Sequence, residues 1–320
     1  MIDGLAMADT DRTLRSLEAG LGVGRVRRSV PLAPLTTFGV GGPADWFIEV
    51  RTSDEVARAV RAAHVTGVPL TILGGGSNVV IGDRGVRGLV VQVHGGAVHQ
   101  TRPGTVRADG GVTVNGLVRW TISRALAGLE RWAGTPGTVG GAVYGNAHFD
   151  GRLIGDLIEA VGVVNETGTF HEIPADAMEF GYDRSRLQRT AEVLLWAEFV
   201  VAPGEAGALR AEARRSLAYR KQTQPLAAAS AGCVFRNPDP AHDTLPPGIA
   251  PSAGALIDAA GLKDRVVGGA RVSTTHGNFI VNAGEATAAD IRALVTICQR
   301  AVAERYGVEL RPEIVYLGEF

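Results

Sequence analysis

Gly39-Val40-Gly41-Gly42-Pro43-Ala44 fits the G-x-G-x-x-A spacing of the dinucleotide fingerprint, and its surroundings decide the fold against that reading. The fingerprint needs a strand that delivers the chain to a tight turn and a helix that leaves it. Here Pro34–Phe38 has no strand pattern, and the alternating segment Trp46–Val50, a strand, comes next. A doubly wound Rossmann domain is therefore excluded. Two more glycine-rich runs follow, Leu73-Gly74-Gly75-Gly76-Ser77-Asn78 and Gly134-Thr135-Pro136-Gly137-Thr138-Val139-Gly140-Gly141. No Lys-Ser/Thr pair ends any of the three, so none is a Walker A loop. Any one alone reads equally as a plain turn. Three together favour loops whose N–H groups cradle a pyrophosphate without a cationic side chain.

Outward from these runs the chain reads as α+β. Residues 1–30 carry only a short helical stretch around Thr13–Ala19. Ser53 is expected to cap a helix through about Val65, with Asp54 and Glu55 in its first turn. Pro69–Leu73, Gly88–Val93 and Thr105–Ala108 read as strands, and Val114–Ala127 as an amphipathic helix stopped by Gly128. Val161–Asn165 and Thr169–Ile173 flank Glu166-Thr167-Gly168 as a hairpin, and Val193–Val201 suits a buried strand. A helix is expected from Pro203-Gly204 through about Arg220, with a domain boundary in this region. Beyond it come a short helix at Ser252–Ala260, strands at Gly269–Ser273 and Asn278–Val281, and a helix capped by Thr287 that stops at Gly307. A strand at Leu310–Leu317 closes the chain.

The 320 residues suffice for two or three small domains. A net charge of −1 argues against a broad nucleic-acid footprint. No apolar run is long enough to cross a membrane, and the acidic N-terminus has no signal pattern. Cys233 and Cys298, the two cysteines, form neither a disulfide framework nor a metal-ligand spacing. No metal site is expected, and the compartment reads as reducing and cytoplasmic. A monomer is expected. Lys221 and Lys263 are the only lysines among 32 basic residues, as a GC-rich genome would produce.

Ser230-Ala231-Gly232-Cys233-Val234-Phe235-Arg236-Asn237-Pro238 places a thiol between small residues and a turn-forming Asn-Pro. Cys298, in an amphipathic helical pattern, reads instead as a small core residue. Glu313, among apolar neighbours in the last strand, reads either as a solvated edge or as a carboxylate aimed into a site. Phe180-Gly181-Tyr182-Asp183-Arg184-Ser185-Arg186 sets two arginines beside an aromatic, as a solvated loop or as an anion-stabilising guanidinium. His276 lacks metal-ligand spacing and reads as a structural or substrate hydrogen-bonding residue.

Taken in order, these segments resemble the UDP-N-acetylenolpyruvoylglucosamine reductase family. The match runs from about Thr36 to Gly318 and includes the three glycine-rich runs, Val143-Tyr144-Gly145-Asn146-Ala147, Ser230–Pro238, Gly254-Ala255-Leu256-Ile257-Asp258, 268–282 and Arg311–Gly318. The resemblance implies an FAD-binding domain of the vanillyl-alcohol-oxidase (PCMH) type, made of two α+β subdomains, followed by a C-terminal α+β substrate domain. With the boundary above, this gives an N-terminal extension over 1–30, an FAD-binding domain over 31–212 split near 98, and a substrate domain over 213–320. It implies FAD and NADPH as cofactors and UDP-N-acetylglucosamine enolpyruvate as substrate, reduced to UDP-N-acetylmuramate for peptidoglycan. Implied FAD contacts are Gly39, Val40, Gly41, Gly42, Leu73, Gly74, Gly75, Gly76, Ser77, Asn78, Thr135, Pro136, Gly137, Thr138, Gly140, Gly141 and Asn146. By motif position Cys233 is the proton donor, where familiar members have serine; Glu313 is the polarising carboxylate, and Asn237, Tyr182 and His276 are substrate contacts. The short stretch between Tyr182 and Val193 marks the subtype without a long substrate-covering loop.

Two departures stand out. The family's Tyr-Arg-x-Ser is Tyr182-Asp183-Arg184-Ser185 here, which makes Arg184 the expected catalytic arginine with Arg186 in reserve. A family lysine is replaced by Thr223, for which Lys221 or Lys263 could compensate. The alternatives are another flavin oxidoreductase of the same superfold, or a non-catalytic flavin or sugar-nucleotide binder.

Overall fold

The computed structural model describes residues 2–320, with side-chain surroundings from residue 11 onward. The chain forms two compact units, the first comprising the residues up to Val30, Ala44–Gly75 and Arg87–Ser216, the second Pro31–Pro43, Gly76–Val86 and Leu217–Phe320.

The first unit opens with helix α1, Ile2–Leu21, longer than the short stretch expected there. Helix α2, Ser53–Thr66, begins one residue earlier than expected because Thr52, not Ser53, caps it. The Thr52 hydroxyl accepts from Glu55 N and the Glu55 carboxylate accepts from Thr52 N, a reciprocal cap worth about 1 kcal/mol. Gly67, at φ 67°, ends the helix. Leu17 and Leu21 of α1 and Val56, Val60 and Ala63 of α2 share a core with Trp46, Ile48, Leu89 and Val91. Those last four lie in a four-stranded sheet whose order is Arg27–Pro31, Pro43–Val50, Val86–Val93, Leu70–Leu73.

A five-stranded antiparallel sheet follows, ordered Phe170–Pro174, Ile158–Val164, Val193–Val200, Thr105–Asp109, Val98–Arg102. Its central strand, Val193–Val200, is buried at every residue but the last, as expected for a buried strand. The expected hairpin pairs Val161 with Ile173 and Val164 with Phe170, and Asn165 Oδ1 accepts from the N–H groups of Thr167 and Thr169 at its tip. Helix α3, Val114–Ser123, is shorter than the expected Val114–Ala127. Ala125 turns left-handed (φ 54°), and Leu126–Ala127 pairs with Ala202–Pro203 instead of continuing the helix. A six-residue helix α4, Val139–Tyr144, lies inside the third glycine-rich run, where the glycine content hid it. Leu117 of α3, Trp132, and Val139 and Val143 of α4 pack against Val106, Val161 and Phe199 of this sheet.

Helix α5, Ala206–Thr223, contains the point where the second unit's last segment begins. In the second unit, α6 (Ala253–Ala259) and α7 (Ala288–Tyr306) enclose a core with Val234, Phe235, Ile280, Leu310 and Ile314. The expected closing strand is only Val315–Leu317, which runs parallel to Val79–Ile81. That pairing, with Phe38, Val40 and Val80 in the same core, places Pro31–Pro43 and Gly76–Val86 in the second unit. These units are discontinuous, where the expected division, 31–212 and 213–320, was contiguous. Partners more than two hundred residues apart leave no trace in local periodicity. No helix among the described residues is long and apolar enough to cross a membrane.

Candidate active site

The second glycine-rich run leaves the strand Leu70–Leu73 and packs against the third, backbone to backbone. A Cβ on Gly75 would stand 2.8 Å from Gly137 Cα, and one on Gly74 would stand 2.4 Å from Thr138 Oγ1. Only glycine allows that approach. The N–H groups of Gly74, Gly75, Gly76 and Ser77 donate to no acceptor among the described residues. Gly76 is buried, and its carbonyl is occupied by Thr37 N at 3.0 Å and Thr37 Oγ1 at 3.3 Å. A buried orphan N–H is rare and costly, and a run of such groups has the chemistry to hold an anion.

The third run is fixed more fully. Asn115 holds its entry by accepting from Gly134 N at 2.7 Å and donating to Thr135 O at 3.0 Å. Val139 N and Gly140 N are bonded to Val112 O and Gly110 O, and Thr138 Oγ1 accepts from Gly141 N. The N–H groups of Gly137 and Thr138 remain without an acceptor among the described residues. Asn146 is fully buried; its amide donates to Gly181 O and accepts from Gly155 N, both at 2.8 Å. Its side chain therefore braces the loops.

In the first run, close packing explains the glycines. A Cβ on Gly42 would fall 2.3 Å from Asp83 O, and one on Gly41 2.9 Å from Ile81 Cβ. Val40 is a core residue.

Asn146 also leads to the turn Gly181–Arg184, where Gly181 and Arg184 exchange backbone hydrogen bonds and Asp183 is left-handed at φ 50°. Gln188 Nε2 donates to Asp183 O, and Ser185 Oγ donates to Tyr144 O. The two candidate arginines separate clearly here. Arg186 forms a two-pronged bond with Glu192 at 2.8 and 2.9 Å, which raises the guanidinium's pKa and lowers the carboxyl's. Arg184 is exposed, lies over Gly181 and makes no ion pair among the described residues. Tyr182 is exposed on the same turn. Neither Asp183 nor its partner His148, whose Nδ1 lies 2.9 Å from Asp183 Oδ1, was singled out from the sequence. They stand 35 positions apart, and no spacing rule links them.

In the second unit, Asn278 clamps the cysteine segment. Its carbonyl accepts from Val234 N at 2.8 Å, and its side chain bonds both the N–H and the carbonyl of Phe235. Residues 234–236 then pair with 311–313: Glu313 N donates to Val234 O at 2.8 Å and Arg236 N to Arg311 O at 2.9 Å. Cys233 and Glu313, eighty positions apart in sequence, thus stand on adjacent backbone segments, both half-buried. Asn78 Nδ2 adds a bond to Glu313 O at 3.2 Å.

Arg220 of α5, only 7% exposed, interacts electrostatically with Cys233; burial pulls the guanidinium down to about 10, and the thiol's charge opposes that. Sequence reading missed it, since one arginine in a charged helix carries no distinguishing signal. Cys298 is core, its thiol pushed up to about 12 by burial. His276 accepts from Asn278 N at 3.1 Å, and burial, with Lys263 nearby, lowers its pKa. Its Cε1 would lie 2.9 Å from a Cβ on Gly254 of α6, so the ring buttresses the clamp. Asn237 is exposed and its Oδ1 accepts from Ala253 N at the start of α6. Thr223 bonds back to Tyr219 O, Lys263 pairs with Asp258 at 2.6 Å, and Lys221 is exposed.

Residues 44–174 match the FAD binding domain family, and residues 224–317 match the family described as UDP-N-acetylenolpyruvoylglucosamine reductase, C-terminal domain. A UDP-N-acetylenolpyruvoylglucosamine reductase from Synechococcus sp. (strain JA-3-3Ab) is 38% identical over 299 residues, 93% of each chain. The enzyme of that name from Bacillus licheniformis is 36% identical, covering 97% of this chain and 99% of its own. This chain belongs to the UDP-N-acetylenolpyruvoylglucosamine reductase family. The crystal structure of the reductase from Thermus caldophilus superimposes with a TM-score of 0.74 at 35% identity, covering 92% of this chain and 99% of that one. An α+β fold with an FAD-binding domain and a C-terminal reductase domain follows from these matches. The orphan N–H groups of Gly74–Ser77 fit the pyrophosphate of that cofactor, and the glycine contact at Gly75 and Gly137 leaves the two loops no alternative side chains.

Proposed function

We propose that this chain reduces the enolpyruvyl ether of UDP-N-acetylglucosamine enolpyruvate to UDP-N-acetylmuramate, a step of peptidoglycan precursor synthesis in the cytoplasm, at the expense of NADPH. The observation that carries the reading is the pairing of 234–236 with 311–313, which brings the thiol and the carboxylate onto neighbouring segments. Bound FAD supplies hydride transfer from NADPH to the terminal carbon of the vinyl ether. The protein's part is to hold that cofactor and to manage charge and protons on the substrate. The backbone N–H groups of Gly74–Ser77, Gly137 and Thr138, which have no acceptor among the described residues, would hold the cofactor.

Hydride addition leaves negative charge delocalised into the substrate carboxylate, so cationic and hydrogen-bonding groups lower the barrier. Arg184, the candidate not already committed to Glu192, supplies the guanidinium. Glu313 polarises the substrate, and Tyr182 and Asn237 contact it. Cys233 gives its proton to the carbon next to the carboxylate. A thiol releases a proton far more readily than a serine hydroxyl, and Arg220 stabilises the thiolate left behind. The monomer suffices for these roles.

The test is NADPH oxidation by the FAD-loaded protein. Consumption that rises on adding the enolpyruvyl sugar nucleotide supports the reading; a colourless protein that takes up no FAD, or no response to that substrate, contradicts it.

A further inference from the structure

The turn Gly181–Arg184 holds one acidic group for which the reaction above has no use. Asp183 is 4% exposed and receives His148 Nδ1 at 2.9 Å. A carboxylate only accepts, so Nδ1 carries the proton and Nε2 is the ring's working end. Nε2 lies 3.4 Å from the hydroxyl of Tyr182, whose ring is 4.6 Å from the imidazole and 43% exposed. The arrangement runs from a buried carboxylate through a half-buried imidazole to an exposed tyrosine. Acid–base residues are oriented this way when a base is held by a third group.

A purely structural clip is a poor explanation of the pair. The turn is already tied by Asn146 to Gly181 O, by Gln188 to Asp183 O, and by its own exchange of backbone bonds. His148 is likewise set in a two-strand ladder opposite Leu153. Neither element needs an ionisable pair to stay in place. With hydrogen on both ring nitrogens the imidazole donates on two sides, from Nδ1 to Asp183 and from Nε2 outward.

We propose that His148, anchored on Asp183, is a further catalytic residue that donates a hydrogen bond from Nε2 to the substrate's carboxylate, with Asp183 as its positioning residue. The proposal rests on the reductase reading. It adds to Arg184 a second, shorter and directional donor for the charge that develops on reduction.

The test uses the holoenzyme and the variants His148→Ala, Asp183→Asn and the double variant. His148→Ala is expected to lower kcat by about 10²-fold, as loss of one such donor does, with flavin reduction by NADPH unchanged. Asp183→Asn is expected to lose less, and to cost nothing further in the His148→Ala background, because it acts through the ring. Calorimetric binding of the enolpyruvyl sugar nucleotide to the oxidised holoenzyme, without NADPH, is expected to weaken in His148→Ala. Unchanged kcat and binding in that variant, or fully additive losses in the double variant, would overturn the proposal. If Asp183→Asn does not fold, His148→Ala alone decides. Absence of turnover by the unaltered enzyme would overturn the reductase reading, and this proposal with it.

Discussion

Cys233 and Cys298 show how environment assigns opposite fates to one side chain. Cys298 faces the core of α7, and burial pushes its thiol up to about 12, where it is inert at neutral pH. Cys233 is half-buried and has the buried Arg220 as its electrostatic partner. A cation favours the thiolate, and the thiolate is the species that alkylates. Native protein should therefore take up iodoacetamide at Cys233 alone. Arg220→Met should shift the pH–rate profile of that reaction upward and slow it at fixed pH, which mass spectrometry of the labelled protein can follow. An unchanged profile would remove Arg220 from the account. Cys233 and Glu313 could be singled out from the sequence because their motifs keep short, ordered neighbours. Arg220 and His148 were not, because their significance lies in partners that no local pattern specifies.

Among the elements, the glycine-rich runs repaid sequence reading unevenly. Gly74–Ser77, expected as a ligand loop, has N–H groups with no acceptor among the described residues. In the first run the same composition serves packing on Ile81 and Asp83. Gly75→Ala is the sharpest probe, since its Cβ would meet Gly137 Cα at 2.8 Å and backbone cannot swing aside. We expect FAD binding to weaken by at least about tenfold, or about 1.4 kcal/mol, measured by flavin fluorescence on titration. Undiminished affinity would show that the two loops can part freely.

The Asn278 clamp makes a prediction about pH. His276 accepts from Asn278 N as a neutral ring, and burial lowers its pKa from the ordinary 6.5. The unfolded chain then binds the proton first, so stability is full above about pH 6.5 and falls as pH drops toward the lowered folded value. Thermal melts across pH 5 to 8 should show that decline (a range set by ordinary histidine titration, about 6.5), and His276→Gln should flatten it. A wild-type curve level through this range would contradict the assignment.

For the whole molecule, the hairpin and the strands near Thr105 and Val193 were legible in the sequence, whereas Val98–Arg102 and the order of the sheet were not. Nor was the division into units. Val79–Ile81 directly follows the second glycine-rich run, yet it pairs with Val315–Leu317. Asp83 likewise caps α7, accepting from Ala288 N at 2.8 Å and Ala289 N at 2.9 Å. These connections make the second unit from three separate stretches, so a fragment beginning at 213 would lack part of its own core. Expressed alone, 213–320 should fail to give a cooperative melt, whereas the full chain should unfold cooperatively.

We propose a flavin-dependent enolpyruvyl reductase with Cys233 as its acid. Anaerobic stopped-flow spectroscopy of Cys233→Ala tests it most directly, by following the flavin first with NADPH and then with UDP-N-acetylglucosamine enolpyruvate. The account predicts normal bleaching by NADPH and return of flavin colour slowed by about 10²-fold or more relative to wild type, with Cys233→Ser intermediate. Return of colour at the wild-type rate in Cys233→Ala would contradict it.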